Sequence, residues 1–135
     1  METEAREPSL TLLVVDDEQV ICQACRRVLT REGFFVETTS DPDDGLRRAL
    51  TVKYAAILLD VKMPTMDGIH FLKILRQNSV SVPVVVMTGY PIAQNAAAAA
   101  RLGASDYIVK PFTPQEITRA VKKAVSGEPP QPERP

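Results

Sequence analysis

The chain contains 135 residues, with 16 basic and 17 acidic side chains, and carries a net charge of −1. This length suits one domain with a single core, and the balanced charge favours neither nucleic acid nor an anionic membrane as a direct partner. Apolar runs fall well short of the roughly 18 residues of a membrane span, and the charged N-terminus lacks the apolar core of a signal peptide, so we expect a cytoplasmic protein.

A polar lead-in over residues 1–10 precedes the first predicted strand, Thr11–Val15. This run is short and apolar, and Asp16 and Asp17 follow it directly, which is typical of a buried strand with acids at its C-terminal end. A helix is predicted over residues 19–32 and should cover one face of a sheet. Its apolar positions are Val20, Ile21, Ala24, Val28 and Leu29.

Cys22 and Cys25 lie inside this helix and form a nominal C-x-x-C motif. Redox pairs of this type sit where a strand gives way to a helix N-terminus, which lowers the thiolate pKa. A position within the helix lacks that effect, so we interpret the two cysteines as small, mostly buried core residues.

The next predicted elements are a strand over residues 34–39 and a helix that begins at Asp41-Pro42 and ends near Leu50. Asp before Pro supplies a helix cap followed by a residue suited to the first turn. Gly45 is expected to weaken this helix.

The segment Ala55–Leu59 contains five consecutive apolar residues and ends at Asp60. It is typical of a strand buried on both faces of a parallel sheet. Ligands of open α/β sheets bind at the C-terminal ends of the strands, so Asp60 is a candidate functional residue. A turn or helix-cap aspartate is the alternative at this point.

A third helix should follow, capped by Asp67 or Thr65 and ending near Asn78. The lone His70 has no companions of metal-ligand type in this helix and is interpreted as a surface residue. The apolar positions expected to face inward are Ile69, Leu72 and Leu75.

Two further β/α units complete the pattern. Residues 82–87 predict a strand ending at Thr88, and an alanine-rich helix over residues 92–102 follows it. Asp106–Val109 predicts the fifth strand, with Lys110 directly after it.

The last helix begins with the capping box formed by Thr113 and Glu116. Its apolar positions recur every four residues and should face the core. They are Ile117, Val121 and Val125. Residues 127–135 are proline-rich and are expected to form a flexible tail or the start of a linker.

Strict alternation of five strands and five helices predicts an α/β fold with a doubly wound parallel sheet. All strands then share one C-terminal edge, where carboxylates can bind a hard divalent cation such as Mg²⁺. One carboxylate could attack a phosphoryl group, with a lysine and a threonine as partners of its oxygens. The residues that follow the strands at this edge are Asp16, Asp17, Asp60, Thr88 and Lys110.

In these residues the chain resembles the receiver domain of two-component response regulators, the CheY-like flavodoxin-fold module. Further marks of the resemblance are Met63-Pro64 and Asp67-Gly68 after the candidate acceptor, and Lys110-Pro111 after the fifth strand. The resemblance implies a receiver domain over residues 11–126 with strand order 2-1-3-4-5.

The resemblance also implies roles for individual residues. Asp60 would accept a phosphoryl group from a histidine kinase or a histidine phosphotransfer protein. Asp16 and Asp17 would hold Mg²⁺, with Mn²⁺ as the alternative ion, together with Asp60 and the backbone carbonyl of Lys62.

On the same basis, Lys110 would pair with the phosphoryl oxygens and Thr88 would bond to one of them after phosphorylation. Tyr107 would change rotamer with Thr88, although an edge-strand aromatic with an exposed tip is the alternative interpretation. The peptide between Lys110 and Pro111 would be cis. The surface formed by the fourth helix, fifth strand and fifth helix would carry the output.

Such a domain is not an enzyme in the ordinary sense, because it catalyses only its own phosphorylation from a phosphodonor and its own dephosphorylation. Its output would pass to a separate partner, to an effector domain outside these residues, or through a homodimer. Lys62 lies two residues past Asp60, where a cation could shield an acyl phosphate or point to solvent.

Two alternatives compete with this reading of the chain. One is a docking module that works without phosphorylation. The other is a phosphohydrolase of the haloacid-dehalogenase type, whose marker is a second acid two residues after the nucleophile, where this chain has Lys62.

Overall fold

The computed structural model describes residues 10–127, so most of the predicted lead-in and tail lies outside the described residues. Within that range, five strands and five helices alternate. The strands are β1 (Thr11–Val15), β2 (Phe35–Thr39), β3 (Ala56–Asp60), β4 (Val84–Thr88) and β5 (Asp106–Val109). The helices are α1 (Gln19–Arg31), α2 (Pro42–Thr51), α3 (Gly68–Gln77), α4 (Ala93–Arg101) and α5 (Pro114–Ser126).

The strands form one parallel sheet in the order β2-β1-β3-β4-β5. This arrangement confirms the predicted flavodoxin-like fold, including its strand order. The three central strands β1, β3 and β4 are buried along their whole length, as their continuous apolar sequences predict.

Two hydrophobic clusters cover the two faces of the sheet, and alternate residues of each strand contribute to them. Leu12 and Val14 of β1 pack with α1 and α5, whereas Leu13 and Val15 pack with α2, α3 and α4. Because helices cover both faces of the sheet, the polar side chains come together at the carboxyl ends of the strands.

The inward face of α1 differs from the prediction. Cys22, Cys25 and Leu29 are buried, whereas Val20 is 67% exposed. The interpretation of both cysteines as core residues is therefore confirmed, and the inward assignment of Val20 was wrong. Burial raises the pKa of Cys22 to about 11 and that of Cys25 to about 12, so both thiols stay protonated at neutral pH.

Gly45 has a packing role in addition to its low helix propensity. A Cβ atom at this position would lie 2.9 Å from the Val15 Cγ2 atom, so α2 approaches β1 closely only because glycine is present. In α3, Asp67 is the capping residue and accepts a hydrogen bond from the Ile69 amide at 2.7 Å. Phe71, which the predicted inward face omitted, is fully buried, and His70 is exposed as expected.

Arg76 connects the end of α3 to the two loops that enter β4 and β5. Its guanidinium donates hydrogen bonds to four backbone carbonyls, of which Leu102 is at 2.7 Å and Gly103 at 3.4 Å. The other two acceptors are Val80 at 2.8 Å and Val82 at 3.0 Å. The C-terminal end of α4 is therefore held to the end of α3. No helix in the described part of the chain is long and apolar enough to cross a membrane.

Candidate functional site

The polar residues predicted at the strand ends lie together at the carboxyl edge of the sheet. Asp16 follows β1, Asp60 and Thr88 are the last residues of β3 and β4, and Lys110 follows β5. Backbone bonds fix two of these positions: the Asp16 amide donates to the Thr39 carbonyl at 3.2 Å, and the Lys110 amide donates to the Thr88 carbonyl at 2.7 Å.

Three carboxylates form the centre of this site. One oxygen from each of Asp16, Asp17 and Asp60 lies within 4.8 Å of the other two. Asp16 is fully buried and Asp60 is 3% exposed. Burial, followed by the negative charge of Asp16, raises the pKa of Asp60 to about 7, and the Lys110 ammonium offsets only part of this effect. Burial raises the pKa of Asp16 as well, although contact with Lys110 opposes that shift.

The Lys110 ammonium lies among three acidic side chains. Its Nζ atom is 2.7 Å from Asp16 Oδ2, 3.1 Å from Asp60 Oδ1 and 3.0 Å from Glu18 Oε1. Burial alone would lower the pKa of Lys110, but these carboxylates outweigh burial and raise it. The sequence predicts no role for Glu18, and its place directly after the two aspartates is the one sign that it belongs to the site.

The acid cluster fits a hard divalent cation. The Asp16 Oδ1 atom accepts a hydrogen bond from the Glu18 amide at 2.9 Å. The buried Asp16 Oδ2 atom lies 2.7 Å from the Lys110 ammonium. Three carboxylates whose oxygens lie this close together offer hard oxygen ligands, a donor set that suits Mg²⁺.

Thr88 and Tyr107 lie on the β4–β5 side of the site. Thr88 is 1% exposed, and its hydroxyl accepts from the Tyr90 amide at 2.9 Å and donates to the Tyr90 carbonyl at 3.1 Å. The Tyr107 hydroxyl oxygen is buried, and burial raises its pKa, an effect that the neighbouring Thr88 side chain partly offsets. The tip of Tyr107 is thus directed inward in this structure. The peptide bond between Lys110 and Pro111 is cis.

An open cavity of about 890 Å³ leads to the acid cluster, and a second cavity of about 600 Å³ adjoins it. Lys62, Met63 and Tyr90 line both cavities. The Lys62 Nζ atom lies 5.0 Å from the centroid of the Tyr90 ring, within the range of a cation–π contact. The side chain of Lys62 therefore crosses between the loops that follow β3 and β4.

The loop between β3 and α3 folds back tightly against the end of β3. The Gly68 amide donates to the Val61 carbonyl at 2.7 Å. A Cβ atom on Gly68 would lie 2.2 Å from the backbone oxygen of Asp60 and 2.8 Å from the Val61 Cα atom. Only glycine allows this approach, which fixes the loop beside Asp60.

Comparison with known proteins is consistent with this site. Residues 12–122 match the family model of the response regulator receiver domain. The chain is 40% identical over 111 residues to the alkaline phosphatase synthesis transcriptional regulatory protein PhoP of Bacillus subtilis. The matched region covers 82% of this chain and 46% of PhoP. It spans about half the length of the curated relatives it matches.

Two solved structures are similar along most of the chain. A CheY-like response regulator receiver domain protein from Methanospirillum hungatei has a TM-score of 0.82 and 26% identity, with 87% of this chain and 94% of that chain covered. The beryllofluoride-activated NtrC4 receiver domain dimer has a TM-score of 0.81 and 30% identity, with 87% of this chain and 97% of that chain covered.

Proposed function

This chain belongs to the response regulator receiver domain family of two-component systems, and we propose that it is the phosphoacceptor of a His-to-Asp phosphorelay, with Asp60 as the residue that is phosphorylated. The observation that carries the proposal is the setting of Asp60. Its carboxylate is almost fully buried, yet it reaches the cavity and lies 3.1 Å from the Lys110 ammonium, beside two more carboxylates.

In the proposed reaction, an oxygen of Asp60 attacks the phosphorus of a phosphohistidine on a histidine kinase or a histidine phosphotransfer protein. The new O–P bond forms as the P–N bond breaks, and the donor nitrogen becomes the neutral imidazole nitrogen. Lys110 remains within contact distance and neutralises charge on the transferred group. This self-phosphorylation and the later hydrolysis are the only reactions that we propose for the chain.

Mg²⁺, when bound, supplies positive charge that neutralises the phosphoryl oxygens. Asp16, Asp17 and Asp60, with the backbone carbonyl of Lys62, are the residues proposed to hold it. Mn²⁺ has the same preference for oxygen ligands and is the alternative ion.

We further propose that Thr88 exchanges its contact with Tyr90 for a bond to the phosphoryl group and that Tyr107 responds to this change. Phosphorylation adds roughly 1.5 to 2 negative charges at the site, so new contacts worth a few kcal/mol could reverse a two-state population. The surface of α4, β5 and α5 is the proposed output surface. The activated state of the related NtrC4 domain is a dimer, which supports a homodimer as one form of the output.

The proposed receiver unit spans residues 11–126. We propose that it acts in the cytoplasm. PhoP, which is about twice as long as the matched region, is a transcriptional regulatory protein. By analogy, the output of this chain would act on an effector domain outside the given residues or on a separate protein partner.

The decisive experiment is incubation with a small phosphodonor and Mg²⁺, followed by intact-mass measurement. We expect the wild type to gain the mass of one phosphoryl group and Asp60→Asn to gain none, and omission of Mg²⁺ should greatly slow the gain. If neither protein formed an adduct, the phosphoacceptor function would be wrong and a phosphorylation-independent docking module would replace it.

Lys62 is expected to prolong the lifetime of the phosphoryl group, because Lys62 and Tyr90 contact each other and both line the cavity that leads to the acid cluster. A cation–π contact at an exposed site contributes about 0.5–1 kcal/mol, so Lys62→Ala should hydrolyse its phosphoryl group about two to five times faster. Decay of the adduct, followed by intact mass after removal of the donor, measures this rate. Lys73→Ala, which removes an exposed lysine from α3, is the control, and an unchanged rate in Lys62→Ala would exclude the role.

A further inference from the structure

The Lys110 ammonium has as many carboxylate neighbours as it has protons to donate. The three contacts differ in exposure. The ammonium lies 2.7 Å from Asp16 Oδ2 and 3.1 Å from Asp60 Oδ1, both on almost fully buried side chains. Its third partner is Glu18 Oε1, which accepts a hydrogen bond at 3.0 Å and belongs to a side chain that is 57% exposed.

Glu18 is well placed to hold this contact. It occupies the N-cap position of α1, but its side chain caps no helix amide. Its own backbone amide donates to Asp16 Oδ1 at 2.9 Å. The backbone of Glu18 is thus fixed to the acid cluster while its side chain is free to contact Lys110, which lies 92 residues away in the sequence.

A cation in the acid cluster would compete with Lys110 for Asp16. Both are positively charged, and the buried Asp16 Oδ2 atom lies only 2.7 Å from the ammonium. The Lys110 side chain is only 10% exposed, and a buried charge without a partner is strongly unfavourable, so an ammonium that withdraws from Asp16 needs another carboxylate nearby. Glu18 supplies that carboxylate without occupying an oxygen of the acid cluster.

We propose that Glu18 is a positioning residue for Lys110, which it holds at the entrance of the acid cluster when a divalent cation occupies Asp16. This inference rests on the proposed function, because it concerns the same cation and the same lysine. Without Glu18, the ammonium would retain only Asp16 and Asp60 as partners, and a cation would have to displace it without compensation. Glu18 thus favours the cation-bound form by acting through Lys110.

The test is the Mg²⁺ affinity of the full chain, measured by isothermal titration calorimetry at physiological salt. Glu18→Gln should raise the Mg²⁺ dissociation constant about fivefold, within the range of coupling between residues in contact. The control is Glu32→Gln, which removes the carboxylate of another exposed Glu–Lys pair, at 2.9 Å from Lys122 and away from the site. It should leave the dissociation constant unchanged. Thermal unfolding of each variant checks that the fold is retained, and Glu18→Asp should recover part of the affinity.

A double-mutant cycle distinguishes positioning from a simple loss of charge. In a Lys110→Ala background, Glu18→Gln should change the dissociation constant less than twofold, because the lysine through which Glu18 acts is missing. An equal effect in both backgrounds, or no effect of Glu18→Gln in the wild-type background, would overturn the proposal. With either of these results, the proposed function would still stand if the wild-type protein bound Mg²⁺ and formed the phosphoryl adduct. If the wild-type protein neither bound Mg²⁺ nor formed the adduct, the proposed function itself would be wrong.

Discussion

Replacing Asp60 with Asn should raise the free energy of unfolding by about 2–4 kcal/mol at pH 8 when divalent cations are absent. Burial and the charge of Asp16 raise the pKa of Asp60 to about 7, from an ordinary value of 3.8. One pKa unit corresponds to about 1.4 kcal/mol, so the ionised carboxylate destabilises the folded state at pH 8. The amide of asparagine carries no charge and removes this effect.

The sign of the pH dependence follows from the direction of the shift. A carboxyl group whose pKa is raised by folding binds its proton more tightly in the folded state, so stability falls as the pH rises from about 4 to 7. The difference in the free energy of unfolding between Asp60→Asn and the wild type should therefore decrease as the pH falls through 7 and be almost zero near pH 4.

Urea unfolding in the presence of a chelator, at several pH values, measures this difference. Asp43→Asn, at an exposed aspartate in the first turn of α2, serves as the control and should change stability by no more than about 0.5 kcal/mol. Saturating Mg²⁺ should stabilise the wild type more than Asp60→Asn. A gain that stayed constant between pH 4 and pH 8 would show that the charge of Asp60 is not its cause.

A methyl group at position 68 should destabilise the protein by about 3 kcal/mol, because overpacking against rigid backbone has few ways to relax. The added Cβ atom of Gly68→Ala would lie 2.2 Å from the Asp60 backbone oxygen, so either α3 or the end of β3 must move. Because that movement displaces Asp60, we also expect phosphorylation by a small phosphodonor to slow markedly.

Gly89→Ala is the matched control, since it also adds one methyl group to a loop at the site. A Cβ atom on Gly89 would have no neighbour within 4 Å, and the change should alter stability by less than about 0.5 kcal/mol. Chemical unfolding measures the free energy of unfolding of both variants. If Gly68→Ala were as stable as Gly89→Ala, the loop after β3 would accommodate the added methyl group, and the predicted overpacking would be wrong.

Much of the architecture follows from local sequence. β1 and β5 have the bounds that were predicted, and the Thr113–Glu116 capping box forms with hydrogen bonds of 2.8 Å and 3.1 Å. The acid cluster could be anticipated because parallel strands place their carboxyl ends on one edge, whatever the distance between them in the sequence. These features depend on periodicity, caps and topology, all of which the sequence contains.

Side-chain direction was harder to predict. Val20 and Ile21 are adjacent, so the helical pattern of α1 allowed more than one inward face, and packing against β1 and α5 selected the one that buries Cys22 and Cys25. The contact between Glu18 and Lys110 likewise depends on how two loops approach each other. No spacing in the chain encodes that approach, since it results from the packing of the whole domain.

Helix α4 is attached unequally at its two ends. Arg76 fixes the backbone just after its last turn through Leu102 and Gly103, whereas Ile92 at its N-cap provides no side-chain hydrogen bond. A displacement that begins in the loop after Thr88 would first reach the N-terminal end of α4, which no side chain caps. Because Arg76 holds the other end, α4 would rotate about its C-terminus rather than slide along the sheet.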